Sequence, residues 1–294
     1  MQSSPAPQRL RLISHGSPGS GPDRLLGALA AAILEASAGT KPAVEHLPGG
    51  DGADAIMALA AAAGDGSVAA SCTPTYLTTP VKRHLAVRYS DLTPLGRLVA
   101  DTYLLAVRRD APWQDVREML AAGAVCAAAP RGGNTHIQSM LLHDATGLNA
   151  PVHYYQSIQE ATAAVADGEA GWTTGVVSDF ADGLLAGRLR ILANFGSGDD
   201  PNAAGVSLIA QGIEVTFPLW RGLIGPGGLS AEDVAAWEAR LRGACATAAW
   251  AQYLAGQRLR GALTSAADFR AELDGEAPRY EAWLRQIESD SARR

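Results

Sequence analysis

The chain has 294 residues, of which 47% are apolar, 18% charged and 6% aromatic, with a formal net charge of −6. That length and apolar content suffice for two lobes of ordinary domain size, and few aromatics beside abundant alanine point to a helix-rich α/β protein rather than an all-β sandwich. The acidic balance, without a basic stripe, excludes nucleic acid as the main partner, and no uninterrupted apolar run reaches membrane length.

Residues 1–8 are polar, contain Pro5 and Pro7, and read as a flexible leader. They resemble the segment that remains after a signal peptide is removed, with a native cytoplasmic start as the alternative. Arg9 to Ile13 reads as a strand, and Pro22 to Ala38 as a helix with Leu25, Leu26, Leu29 and Ile33 on one face. Val44 to Leu47 is a second strand. A Pro48-Gly49-Gly50-Asp51-Gly52 turn leads into an alanine-rich helix through Ala63, and Val68 to Ser71 is a third strand. Strand-helix-strand alternation with short turns predicts right-handed crossovers and a parallel sheet.

After a long connection, a run from Leu98 to Val107 crosses into a second series, with Pro112 ahead of a helix from Trp113 to Ala121. The series continues with strand Val125 to Ala129, a glycine turn, helix Ile137 to Thr146, strand Val152 to Tyr155 and helix Ser157 to Ala166. Strand Ala170 to Thr174, helix Val177 to Ala186 and strand Arg190 to Phe195 complete it. Gly196 to Gly205 reads as a polar loop, Val215 to Ile224 as a strand, and helices carrying Trp237, Trp250 and Trp283 finish the chain. The expected division is a first lobe over 9–103, a second lobe over 104–218 and a return to the first over 219–290. Two crossings permit closure over a cleft, a common place for a ligand.

Two glycine-rich turns stand out: Pro18-Gly19-Ser20-Gly21-Pro22-Asp23 and Arg131-Gly132-Gly133-Asn134-Thr135-His136. Each follows a strand-like run and opens a helix-like run, which leaves backbone N–H groups at a positive helix terminus and favours an anion. The first turn reads Gly19-x-Gly21-x-x-Arg24 and lacks the third glycine of a dinucleotide fingerprint, although Glu45 stands near the place of its ribose partner. No glycine precedes Lys-Ser or Lys-Thr, and no Gly-x-Ser-x-Gly elbow occurs, although Ser17 and Ser20 lie in glycine-rich company. The six histidines show no paired metal-ligand spacing, and the three cysteines, Cys72, Cys126 and Cys245, encode no disulfide framework or Cys-x-x-Cys site, with a single disulfide as the open alternative. No metal or cofactor is therefore expected.

His15 and His136 each sit beside a glycine turn, unlike the other histidines, which read as surface or half-buried side chains. Ser71-Cys72-Thr73-Pro74-Thr75 closes the third strand, either as ligand contacts or as an ordinary capping turn. Trp172-Thr173-Thr174 ends a strand of the second lobe in the corresponding place, with Trp172 as an apolar ligand wall or as plain core. Arg131 is a carboxylate fork or a solvated turn residue.

At these residues the chain resembles the tripartite tricarboxylate transporter substrate-binding family, the Bug or TctC type of periplasmic receptor. The resemblance runs from residue 9 to 288. It is carried by Gly16 to Asp23, Val44-Glu45-His46-Leu47-Pro48-Gly49-Gly50-Asp51-Gly52, Asp91-Leu92-Thr93-Pro94, Pro130 to Thr135, Tyr154-Tyr155-Gln156-Ser157, Ala186 to Ala193 and Trp220 to Gly228, in order and spacing. It implies an α/β, two-lobed Venus-flytrap fold, each lobe a mostly parallel sheet flanked by helices. It also implies a periplasmic, monomeric, non-catalytic protein that hands a small organic carboxylate to membrane transporter subunits. Ligand contacts would come from His15, Ser17, Gly19, Ser20, Gly21 and Asp23, from Ser71, Cys72, Thr73 and Thr75, from Arg131, Gly132, Gly133, Asn134, Thr135 and His136, and from Trp172, Thr173 and Thr174. The family's aspartate is absent from Gly168-Glu169-Ala170-Gly171, while Arg131, His136 and Trp172 are gained, which favours an aromatic or multi-carboxylate acid over an amine-bearing one. The competing readings are a cofactor-dependent enzyme using the same cleft and a sensor domain feeding a signalling partner.

Overall fold

The computed structural model describes residues 9–37, 40–129, 131–196, 204–257 and 259–292. The predicted leader, Pro130 and most of the polar loop after Gly196 lie outside the described residues. The chain forms two compact units: one takes the segments up to Ala100 and from Trp220 onward, the other Asp101–Leu219.

In the first unit, β1 (Arg11–Ser14) leads into α1 (Gly21–Ser37), followed by β2 (Ala43–His46), a 3₁₀ turn at Gly49–Gly52, α2 (Ala53–Ala61) and β3 (Val68–Cys72). The predicted α1 face is the one that packs: Leu25, Leu26, Leu29 and Ile33 are buried with Leu12, Leu95, Leu98, Leu223, Trp237, Leu241 and Trp250. The long connection holds an unexpected helix, α3 (Thr75–Lys82), with Pro80 inside it, before β4 (Thr93–Thr102).

The predicted run over 98–107 is not one strand. It divides at Tyr103 into β4 and β5 (Leu104–Arg108). The second unit continues with α4 (Val116–Ala121), β6 (Cys126–Ala128), α5 (Asn134–Thr146), β7 (Val152–Tyr154), α6 (Ile158–Asp167), β8 (Trp172–Gly175), α7 (Val177–Leu185), β9 (Leu189–Asn194) and β10 (Val206–Ser207). Two helix starts follow local chemistry: Asp115 accepts the Glu118 N–H at 2.8 Å and Ser157 the Glu160 N–H at 3.2 Å, each satisfying an orphan donor of a first turn. The core gathers Leu104, Ala106, Ala127, Ala161, Val165, Phe180 and Leu189.

The chain returns through β11 (Pro218–Gly225), then α8 (Ala231–Cys245), α9 (Ala248–Gln257), β12 (Arg260–Gly261) and α10 (Ala266–Ala292). Ser230 and Asp233 make a reciprocal capping box at the start of α8.

The sheets are mixed rather than simply parallel. The first has the order β12-β4-β11-β3-β1-β2, the second β10-β9-β5-β8-β6-β7. β1 runs parallel to β2 and β3, as helical crossovers require, and β6 runs parallel to β7 and β8. Antiparallel pairs are β5 against β8 and β9, β11 against β3, and β12 against β4.

Candidate functional site

In the first unit the predicted residues gather where β1 and β3 end. His15, directly after β1, is buried and joins the two strands. Its Nδ1 lies 2.9 Å from the Ser71 carbonyl oxygen, and its Nε2 lies 3.1 Å from Thr73 Oγ1. A carbonyl only accepts, so Nδ1 carries the proton and Nε2 accepts from the Thr73 hydroxyl. Burial pushes the imidazole down to about 4, against an opposing effect of the Ser71 carbonyl, so His15 is neutral at neutral pH. Its ring meets Tyr76 of α3 edge-on, with centroids 5.7 Å apart.

The Gly49–Gly52 turn closes in from the side. Gly50, Asp51 and Gly52 all have positive φ, of 62°, 60° and 89°, and a β-carbon on Gly52 would stand 3.0 Å from Thr75 Cγ2 and 3.6 Å from His15 Cβ. The strained Asp51 is held by α3: Thr79 donates to its carbonyl at 2.7 Å and Lys82 pairs with its carboxylate at 2.8 Å.

The first glycine turn spends several N–H groups on itself. Gly16 N–H donates to Ser14 Oγ, Gly19 N–H to Asp23 Oδ2 at 2.7 Å and Ser20 N–H to the Ser17 carbonyl at 3.0 Å. The other oxygen of Asp23 lies 2.7 Å from His46 Nε2. The Gly19 amide and then the His46 bond hold the Asp23 carboxyl below its ordinary value. Asp23 is thus a brace of the turn. The N–H groups of Ser17 and Gly21 keep no acceptor among the described residues.

In the second unit the glycine turn opens α5. Gly132 N–H donates to His136 Nδ1 at 3.0 Å, which puts the His136 proton on Nε2, 3.1 Å from Tyr154 Oη. Arg131 lies over the Tyr154 ring, 5.3 Å from its centroid. Arg131, His136 and Tyr154 therefore form one basic-aromatic wall. Asn134 donates through Nδ2 to Tyr103 Oη. The N–H groups of Gly133, Asn134 and Thr135 have no acceptor among the described residues, so α5 presents an anion-binding first turn. Behind it Thr135 donates to the Thr174 carbonyl at 3.1 Å, and the Thr174 hydroxyl meets Gln138 Oε1. Gln138 is buried, and its Nε2 has no partner among the described residues.

Several predicted contacts are fully buried: Ser71, Cys72, Trp172, Thr173 and Thr174. Trp172 is 0% exposed and donates its indole N–H to the Ala124 carbonyl at 3.1 Å. Thr173 is equally buried and donates to the Ala127 carbonyl at 2.7 Å. Cys72 is buried at the end of β3 with its thiol pushed up by burial, and all three cysteines are free. β3 and β8 are buried along their whole length, so neither face of residues 71–72 or 172–174 is open to a solute. Tyr103, Gln138 and Tyr154, which brace the second turn, were not among the expected contacts. Tyr154 stood within the Tyr154-Tyr155-Gln156-Ser157 run; Gln138 carried no signal.

Among the described residues no group of three or more His, Cys, Asp or Glu side chains is arranged to hold a metal ion, and no helix is long and apolar enough to cross a membrane.

No model of a known protein family matches the chain, nor does any curated protein. Solved structures do. The chain is similar to a TctC solute-binding protein from Polaromonas, with 22% identity, TM-score 0.85, and 95% of this chain and 99% of that one covered. It is also similar to MatC from Rhodopseudomonas palustris, solved with bound malate, at 20% identity and TM-score 0.72, covering 95% and 100%. A further R. palustris protein, solved with adipate, is 19% identical at TM-score 0.76, covering 95% and 97%. These likenesses define the fold class, that of the two-lobed periplasmic solute-binding proteins.

Proposed function

We propose that this protein is a periplasmic solute-binding protein that captures a small organic carboxylate and delivers it to a membrane transporter of the tripartite tricarboxylate type, without chemistry on the solute. The observation that carries this reading is the first turn of α5, where the N–H groups of Gly133, Asn134 and Thr135 have no acceptor among the described residues and the Arg131-His136-Tyr154 wall adjoins them. Such donors hold a carboxylate through charge-assisted hydrogen bonds. The fold likeness, which spans nearly the whole chain, supports the same reading, and two of the similar proteins were solved with a dicarboxylate, malate or adipate. His15 suits a structural part better than catalysis, because both its nitrogens are engaged and burial keeps it neutral.

The test is thermal unfolding against mono-, di-, tricarboxylic and aromatic acids, with amino acids and nicotinamide cofactors as controls. An acid at about 100 times its Kd adds roughly 2.7 kcal/mol, a shift of several degrees at this chain length. Stabilisation by one class of acid supports the receptor reading. Stabilisation by cofactors alone, or turnover of a bound acid, overturns it.

A further inference from the structure

A cavity of about 230 Å³ opens between α3 and α10, and every residue that lines it belongs to the first unit. Its floor comes from Tyr76 and Leu77 of α3 and Ala277 of α10, all buried. The sequence leaves this gap by its composition. Ala277 and Pro278 present short side chains where the two helices meet, and Pro278, inside α10, has no N–H to bond back along the helix. A further wall is pinned in place: Tyr89 donates its hydroxyl to Asp274 Oδ1 at 3.0 Å, and the Arg270 guanidinium carbon lies 5.9 Å from the centre of its ring. The cavity is therefore framed by tethered elements.

The rim carries both signs of charge. Arg88 is exposed and makes no ion pair among the described residues, while Glu281 reaches Arg285, 3.7 Å away on its own helix. The two charges line one cavity without pairing with each other. The rest of the lining is largely apolar and aromatic, with Val81 beside Tyr76 and Leu77. The Tyr76 hydroxyl is buried and has no hydrogen-bond partner among the described residues, a cost that a polar guest or its water offsets. Pockets for drug-sized ligands run to roughly 300–1,000 Å³, so a cavity of this volume is limited to a smaller guest.

We propose that this cavity is a binding site for a free α-amino acid with an aromatic or branched apolar side chain. The carboxylate meets Arg88, the ammonium meets Glu281, and the side chain packs on Tyr76, Leu77 and Val81. A planar guanidinium suits a carboxylate in charge and shape. A simple carboxylate leaves Glu281 unmatched and a simple amine leaves Arg88 unmatched, so the zwitterion is the guest that the two charges select. The site is separate from the α5 turn and takes an amine-bearing solute, so it goes beyond the receptor reading and does not depend on it.

The experiment is calorimetric titration of the full chain with phenylalanine and leucine, beside N-acetyl-phenylalanine, which lacks the ammonium, and phenylalanine amide, which lacks the carboxylate. The wild type binds both free amino acids. Arg88→Gln and Glu281→Gln each weaken that binding by about tenfold to a hundredfold, and both unliganded variants unfold as the wild type does, because each change is made at an exposed or half-buried rim. A wild type that binds neither amino acid overturns the proposal, and so does amino-acid binding that both variants leave unchanged. Capped forms that bind as tightly as phenylalanine, with the same loss in both variants, overturn the zwitterion. None of these outcomes touches the receptor reading, which is tested by acids without an amine.

Discussion

His15 Nδ1 sits 2.8 Å from Ser71 Oγ and 2.9 Å from the Ser71 carbonyl oxygen, so one imidazole ties the ends of β1 and β3 together. With its other nitrogen accepting from Thr73, the ring is satisfied only when neutral. The folded-state value is depressed to about 4 from 6.5, so its contribution to stability is complete above about pH 6.5 and is lost as pH falls through 4. NMR of the His15 ring is expected to show no titration between pH 5 and 8. A midpoint near 6.5 would mean that the ring is solvated and the tie is not made.

Glu276 has the opposite sign. Burial raises its carboxyl to about 7, although the Trp220 N–H and Arg279 favour the ionised form. A raised acid contributes stability that is full below the unfolded value, near 4.5, and lost as pH rises through about 7. Glu276→Gln keeps an acceptor for Trp220 and never ionises. Chemical denaturation should find the variant more stable than wild type at pH 8, by on the order of 1–3 kcal/mol, with the gap closing towards pH 4.5. A gap that stays constant with pH would place the cause elsewhere.

Gly52 is required for two separate reasons, its φ of 89° and the 3.0 Å approach that a β-carbon would make to Thr75 Cγ2. Gly52→Ala is expected to cost about 1–3 kcal/mol and to press on Thr75 of α3. Denaturant titration measures the cost. A neutral substitution would show that the turn relaxes freely.

Trp172→Phe separates core from ligand wall. The variant leaves the Ala124 carbonyl without its indole donor and opens a small void, so a loss of about 1–3 kcal/mol follows. Solute affinity should be unchanged, because the side chain has no exposed surface to offer. A large loss of affinity at unchanged stability would return Trp172 to the binding surface.

Much of the fold was legible because the apolar spacing was strong where the packing is dense. The α1 stripe of Leu25, Leu26, Leu29 and Ile33, the short run Val68 to Ser71, and the helix after Ser157 all appear within a residue or two of their predicted bounds. α3 was hidden by its own composition: Pro74 caps it, Pro80 interrupts it and threonines fill it, the marks of a loop, while packing against α10 supplies what propensity lacks. α10 likewise runs through Gly275 and Pro278, which punctuate a sequence more strongly than they break a supported helix. At the site the two glycine turns were legible as helix starts. What could not be read was the destination of each N–H, because Gly19 and Gly132 are claimed by side chains only four residues on, Asp23 and His136. Nor could strand alternation separate Trp172 and Thr173 from their neighbours, because β8 is buried on both faces.

On the proposed receptor reading, those two local claims bear on how tightly and how selectively a solute is taken. Because Asp23 and His136 already hold the turns in shape through Gly19 and Gly132, little ordering entropy remains to be lost when a solute arrives. On that reading, backbone donors in preorganised turns meet any carboxylate alike, so discrimination among acids falls to the side chains around them, and single substitutions there change the range of solutes while the scaffold stays intact.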